Sequence, residues 1–420
     1  MEILGYIVLI SSTLLLAFIS SMIYDKTKIP DIIWLLGFGL LLGPVTGFYE
    51  KDFFIELAPV MSLVALCVIL FEAGINIDIV SIISTMKKSV TLNLVTFILI
   101  MTCVGVMLNR FMPEDFSVLD GLLIGAMVGG TSTIAVFSVL NNIGKIIPNI
   151  ESSRIILTME SVISDPLCIV VSLTLIQLIM LPEVSLASKA VSLVVIFTAA
   201  SGIGLIMGSA WAVIINRLRG KPFTYILSLA ILFPTYLLVD SYIGEGGGTL
   251  AALCFGLALT NFKYIASRLG ISYSPKIDKR KMRELHAEVT FFVKSFFFVY
   301  IGLIVTLSRA TIMAGIAVVV LSLVARYISA SIAGSIAAFT REELVLSRLL
   351  FVHGLPALVI SQLPQVYDPA EKFFRNPGLF PDIAMPIVLG TVVWGSMIAP
   401  RIAAYQLKVG PVVKKVLVGG

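Results

Sequence analysis

Charge is scarce in this chain: only 13% of its 420 residues are Asp, Glu, Lys or Arg, about half the share typical of soluble domains. That shortage, together with 58% apolar residues and a mean hydropathy of +1.03, excludes a soluble enzyme, a disordered protein and a nucleic-acid binder. Histidine is scarcer still. His286 and His353 cannot between them supply the base or metal ligands of an intramembrane enzyme. The four cysteines, Cys67, Cys103, Cys168 and Cys254, fall inside apolar runs with no Cys-x-x-Cys spacing, and they read as small buried hydrophobes. No basic segment precedes the first apolar run, which predicts a retained span in place of a signal peptide. A membrane protein that is not an enzyme and needs no cofactor is expected.

What is abundant is apolar runs of about 20 residues, the length a bilayer demands. Charged and Pro/Gly breaks delimit thirteen candidate spans, at about 3–23, 30–48, 57–75, 89–109, 118–140, 155–180, 188–215, 223–240, 247–261, 287–307, 310–338, 346–364 and 383–404. The fold class this predicts is an all-α polytopic membrane protein. Alternate loops, starting after the first span, hold 22 Lys and Arg residues against 5 in the others. This asymmetry orients the chain with its N-terminus outside and its C-terminus in the cytoplasm. The loop 261–286 carries Lys263, Arg268, Lys276, Lys279, Arg280, Lys281 and Arg283, a topology determinant with a secondary affinity for anionic lipid. The tail 405–420 is too short to fold alone.

Ionisable residues deep in spans are costly and mark function by default. Away from span ends these are Glu72, Glu160 and Asp165, with Lys294 and Arg326 as the bases. The sixth span reads Met-Glu-Ser-Val-Ile-Ser-Asp-Pro from Met159 to Pro166. Helical spacing puts Glu160 with Ser164 and Ser161 with Asp165 on adjacent strips of one face, offering oxygens to a hard monovalent cation or a path for protons. Pro166 withdraws a backbone donor and disfavours a regular helix there. Alternatively, Glu160 only neutralises Arg326 and the serines bond back to their own helix; with three acids and two bases, Asp165 is the better functional candidate.

The fifth span contains Gly-Gly-Thr-Ser-Thr, with Gly129, Gly130, Thr131 and Thr133, and the twelfth contains His353, Gly354 and Pro356. Either the glycines permit close helix packing, or the helices are interrupted at mid-membrane, where exposed carbonyls can hold an ion. If the chain is two inverted repeats joined by the seventh span, the fifth and twelfth spans are partners. Paired interruptions of this kind point to a transport site.

These segments resemble the monovalent cation:proton antiporter superfamily, in particular the archaeal and bacterial sodium/proton antiporters of its electroneutral branch. The resemblance covers nearly the whole chain. It includes Ile29–Pro44, similar to the family's short second helix, Phe71–Asp78, similar to its Phe-Glu-Gly signature, and Phe296–Leu303, which follows its tenth helix. The most specific piece is Glu160–Pro166, which resembles Glu-Ser-x-x-Asn-Asp-Pro.

The resemblance implies that Asp165 binds cation and proton in alternation, that Ser161 and Thr131 add oxygens around Na+ or K+, and that Glu160 pairs with Arg326. Lys294 falls where the family often carries a base. The implied fold is a homodimer of thirteen-helix chains in the plasma membrane, with two interrupted helices crossing in a core. Residues 1–75 and 188–307 would supply the dimerisation bundle and linking helix, 89–180 and 310–404 the core. Three departures bear on selectivity and pH regulation: Ser164 replaces the Asn, the fifth span lacks Thr-Asp-Pro, and His353 stands where an Arg often precedes the Gly. His353 is accordingly a possible pH sensor. The function implied is exchange of a monovalent cation, Na+ foremost, for H+, one for one. The alternatives are a potassium-efflux or channel-like relative and an ion-coupled organic-anion symporter.

Overall fold

A computed structural model describes residues 2–407 apart from 28, 50, 78, 133–135, 137–138, 141–142, 145–149, 181–185, 219, 222, 245, 269, 271–274 and 276. Thr133, several of the loop lysines and the tail beyond 407 therefore lie outside the described residues. All regular structure among the described residues is helical. Nine helices there are long and apolar enough to cross a membrane: Gly5–Ile23, Ala58–Asn76, Lys87–Phe111, Glu151–Met180, Val194–Arg217, Gly247–Arg268, Lys279–Ile304, Arg309–Ala337 and Leu379–Gln406. Shorter apolar helices occupy Asp31–Val45, Val118–Met127 and Leu227–Tyr242. The segment expected as a twelfth span is two short helices, Arg341–Leu349 and Leu355–Ser361, separated by non-helical backbone. The chain is an all-α, multi-pass membrane protein.

Two compact units divide the chain. The first takes Met1–Pro59, Thr85–Ile179 and Ser295–Gly420, and the second takes Val60–Ser84 and Met180–Lys294. In the second, Gly247–Arg268 packs on Leu186–Arg217 and on Leu227–Tyr242. Asn261 breaks its own helix with φ −108° and ψ 15°. Its amide donates to the Ile77 carbonyl at 2.8 Å and accepts from the Ile79 N–H at 3.2 Å, so its side chain satisfies the backbone left open where Ala58–Asn76 ends.

The first unit holds the two interrupted segments. Val118–Met127 starts at Ser117, whose hydroxyl caps Asp120 N–H while the Asp120 carboxylate returns to Ser117 N–H, a reciprocal cap that fixes the helix start. The helix then lies against Ile79–Phe111 with no space for a side chain: a Cβ on Gly121 would come within 2.6 Å of the Gly105 carbonyl. Small residues permit this approach. Helix geometry ends after Met127, and residues 129–132 run through bends and irregular, non-helical backbone. The second interruption spans 350–354, after which Pro356 sits in the first turn of Leu355–Ser361, a position where its missing N–H leaves no partner wanting. Leu355–Ser361 packs on Val118–Met127 and Leu379–Val393. The interruptions meet directly, Ser132 N–H donating to the Val352 carbonyl at 2.8 Å.

Candidate functional site

Glu151–Met180 is the spine of the site. It continues without a break through Pro166, contrary to the irregularity expected there: one lost donor is a small loss in a long buried helix, and membrane helices tolerate it when polar side chains rejoin the backbone. Ser161 Oγ donates to the Leu157 carbonyl at 3.0 Å, and the Ser164 hydroxyl lies within reach of the Ser161 carbonyl at 3.0 Å. The serines thus bond back to their own helix and also face outward from it.

At Glu160 the helix is sealed. Glu160 and Arg326 are both buried, at 2% and 0% exposure, and the guanidinium grips the carboxylate with two nitrogens, Nη2 to Oε2 at 2.8 Å and Nη1 to Oε1. Fork-to-fork pairing of this kind is the strongest form of the interaction. Arg326 also donates from Nε to the Ser347 carbonyl at 2.6 Å and from Nη1 to Thr96 Oγ1 at 3.2 Å, and its guanidinium lies 5.6 Å from the Phe351 ring centroid. A buried pair is tolerable only when such extra bonds satisfy both ions.

Five residues on, the surroundings change. Asp165 is half-buried and follows Ser164, which touches the first interruption. Thr131 N–H donates to Ser164 Oγ at 3.1 Å, the Ser164 hydroxyl reaches the Thr131 carbonyl at 3.1 Å, and the Thr131 and Ser161 hydroxyls are 2.7 Å apart. Gly130 is required here, because a Cβ would meet Cys168 Sγ at 2.6 Å and Ser164 Oγ at 3.0 Å. The glycine lets the broken backbone lie on the turn that carries Asp165. Hydroxyls from Thr131, Ser161 and Ser164 and the Thr131 carbonyl thus gather at the helix turn that carries Asp165. Among the described residues no three His, Cys, Asp or Glu side chains form a metal-binding group.

His353, in the second interruption, is buried at 2% exposure. Its Nε2 lies 2.7 Å from the Val128 carbonyl, its Nδ1 3.0 Å from Thr391 Oγ1, and its N–H donates to the same oxygen at 3.2 Å. Gly354 caps Leu355–Ser361, and a Cβ there would come within 2.6 Å of the Ser132 side chain.

Glu72 and Lys294 belong to the second unit, where Glu72 lies within electrostatic reach of Lys294 and beside Thr290. Lys294 Nζ also sits 5.4 Å from the Phe291 ring centroid. Sequence reasoning missed Thr96, Ser132 and Thr391. Asn93 and Thr96, three apart in an apolar helix, were the available signal for the first, since Asn93 Nδ2 approaches the Glu160 carbonyl at 3.4 Å on the same face. Ser347 contributes only its carbonyl, which no side-chain pattern reveals.

Residues 13–402 match the family described as sodium/hydrogen exchanger, transmembrane. Na(+)/H(+) antiporter 1 of Methanocaldococcus jannaschii is 25% identical over 316 residues, which are 73% of this chain and 70% of that protein. The probable Na(+)/H(+) antiporter 2 of the same organism is 26% identical over 288 residues, 67% of this chain and 64% of that one, just under two thirds of its length. A solved structure of the sodium proton antiporter MjNhaP1 from Methanocaldococcus jannaschii at pH 8 superposes with a TM-score of 0.79 at 20% identity, covering 97% of this chain and 100% of that one. A likeness at that identity speaks for a shared fold.

Proposed function

This chain belongs to the sodium/hydrogen exchanger family, and on that premise we propose that it exchanges Na+ for H+ across the membrane, with both ions competing for Asp165. The observation that carries the proposal is the gathering of the Thr131, Ser161 and Ser164 oxygens beside the turn of Asp165. One carboxylate with neutral oxygens balances one monovalent charge. Burial raises a carboxyl pKa by penalising the charged form, whereas a cation bound to the same oxygens favours ionisation. Proton and cation therefore exclude one another, and because a bare carboxylate is costly in hydrocarbon, only the occupied forms cross. That restriction turns competition into exchange by alternating access.

The stoichiometry follows from the charge count. Ser164 is neutral, and Glu160 is committed to Arg326, so a single acid cycles. One H+ moves per Na+, with no net charge transferred. K+ and Li+ are the competing cations, the working unit is a homodimer in the plasma membrane, and the N-terminus lies outside and the C-terminus inside. Proteoliposomes preloaded with a proton gradient test the reading. Na+ should collapse the gradient, Asp165→Asn should not respond, and an imposed membrane potential should leave the rate unchanged. A potential that drives exchange would overturn the one-for-one stoichiometry, and a stronger response to K+ would overturn the assignment of Na+.

A further inference from the structure

Hydrogen-bond accounting at the crossing of the interruptions gives His353 a definite task. A carbonyl only accepts, so at 2.7 Å from the Val128 oxygen His353 Nε2 carries the proton and donates. Nδ1 faces Thr391 Oγ1 at 3.0 Å. The Thr391 hydroxyl has one proton and three acceptors in reach: His353 Nδ1, and the carbonyls of Ile387 at 3.0 Å and Val388 at 3.1 Å. With a neutral imidazole the hydroxyl donates to Nδ1, and Thr391 receives the His353 N–H at 3.2 Å. Every polar atom of the His353 ring is then satisfied without charge. The clamped carbonyl stands three residues before Thr131, and the intervening backbone is the broken stretch resting on Ser164. On its other side that stretch is held by Ser132 N–H to the Val352 carbonyl.

We propose that His353 is a positioning residue for cation binding: as a neutral imidazole held by Thr391, it anchors the Val128 carbonyl and so keeps Thr131 in register with Ser161 and Ser164. The inference rests on the assignment of the Asp165 site. It gives the second interruption a role distinct from the first, holding the ligand-bearing backbone without lending a ligand.

The test is Na+-driven proton-gradient dissipation in proteoliposomes, with apparent KM and kcat measured separately and Asp165→Asn as blank. His353→Leu removes both ring bonds and leaves the Val128 carbonyl unpartnered. It should raise KM for Na+ roughly tenfold with a smaller effect on kcat, the scale expected when a ligand-bearing segment is misplaced. His353→Gln, which offers a donor and an acceptor without titrating, should bring KM back to within about threefold of the parent and leave the pH profile superimposable. Thr391→Val, which removes only the hydroxyl at near-constant volume, should raise KM about threefold and serves if His353→Leu does not fold. Unchanged KM in both Leu and Val variants, or a His353→Gln variant as impaired as Leu, would overturn the proposal. A shifted pH profile in His353→Gln would also overturn it, in favour of a sensor. Exchange retained in the Asp165→Asn blank would instead show that the underlying site assignment, not the positioning role, had failed.

Discussion

The Glu160 turn and the Asp165 turn belong to one helix and carry the same kind of acid in opposite surroundings. Around Glu160 the carboxylate is gripped by two nitrogens of a fully buried arginine, itself tied to Ser347 and Thr96. On the Asp165 turn, Ser164 and Ser161 meet the broken backbone and hydroxyl of Thr131, and Asp165 itself is half-buried. Identical chemistry therefore serves two ends. Where an arginine grips the acid, the acid is fixed and organises the core; on the other turn, hydroxyls and a broken backbone supply the oxygens proposed to receive a cation. The contrast also explains how a family motif places two acids so close together without making both of them ion sites.

The largest expected effect breaks the open side of this contrast. Asp165→Asn should abolish cation-dependent proton movement while leaving a folded protein with an unfolding midpoint close to the parent's, measured in detergent by circular dichroism. Retained exchange would mean the two turns do not differ as described. The sealed side should respond in reverse. Arg326→Ala strands an ionised Glu160 in the core and should cost about 3–5 kcal/mol of stability, read as a large fall in unfolding midpoint, and Glu160→Gln added to it should restore part of that loss. A variant as stable as the parent would show that the pair is dispensable.

These two turns were not equally legible in the sequence. Three acids against two bases, all deep in apolar runs, are enough to single out Glu160, Arg326 and Asp165, because the cost of burying charge is independent of topology. Helical spacing also places Ser161 and Ser164 correctly on the helix. Pro166 misled, since the helix passes through it. Local rules weigh the missing donor and not the surrounding helix, whose buried contacts outweigh one lost bond. The bonds that join the interruptions, Ser132 to Val352 and His353 to Val128 and Thr391, connect positions far apart in the chain. No periodicity encodes such a pairing. The Gly-Pro pattern of the twelfth segment announced an interruption, and His353 and Gly354 lie in it; the non-helical stretch extends back to 350, and Pro356 sits in the first turn of the following helix.

The hydroxyls between the two turns sharpen the comparison at intermediate scale. Ser161→Ala and Thr131→Val each remove one side of the 2.7 Å hydroxyl contact, and each should raise the apparent KM for Na+ by roughly tenfold, a loss of about 1.4 kcal/mol, with little change in unfolding midpoint. Because Ser161 sits next to Glu160 in sequence yet bonds toward Thr131, its variant reports which turn it serves. A fall in stability with unaltered KM would assign it to the sealed side.

The smallest effect is expected at the start of the same helix, where the sealed character continues. Ser152 donates to Glu343 Oε1 at 2.6 Å and Lys88 to Oε2 at 2.7 Å, while the Thr340 N–H donates to the same carboxylate at 2.8 Å. Burial alone would raise the Glu343 carboxyl, but these donors together outweigh it and hold the group below its ordinary range. A depressed carboxyl stabilises the fold in its ionised form. Its contribution is complete above the ordinary carboxylate value of about 4.3 and is lost as the pH falls through the lower folded value. Glu343→Gln should therefore lower stability by about 1 kcal/mol at pH 7, and the gap to the parent should close as the pH is taken below 4. Unfolding midpoints of the two proteins across that range decide it. A gap that stays constant with pH would mean that the carboxylate's shape, and not its charge, ties Ser152 and Lys88 together, and the fixed end of the helix would then owe its stability to Glu160 and Arg326 alone.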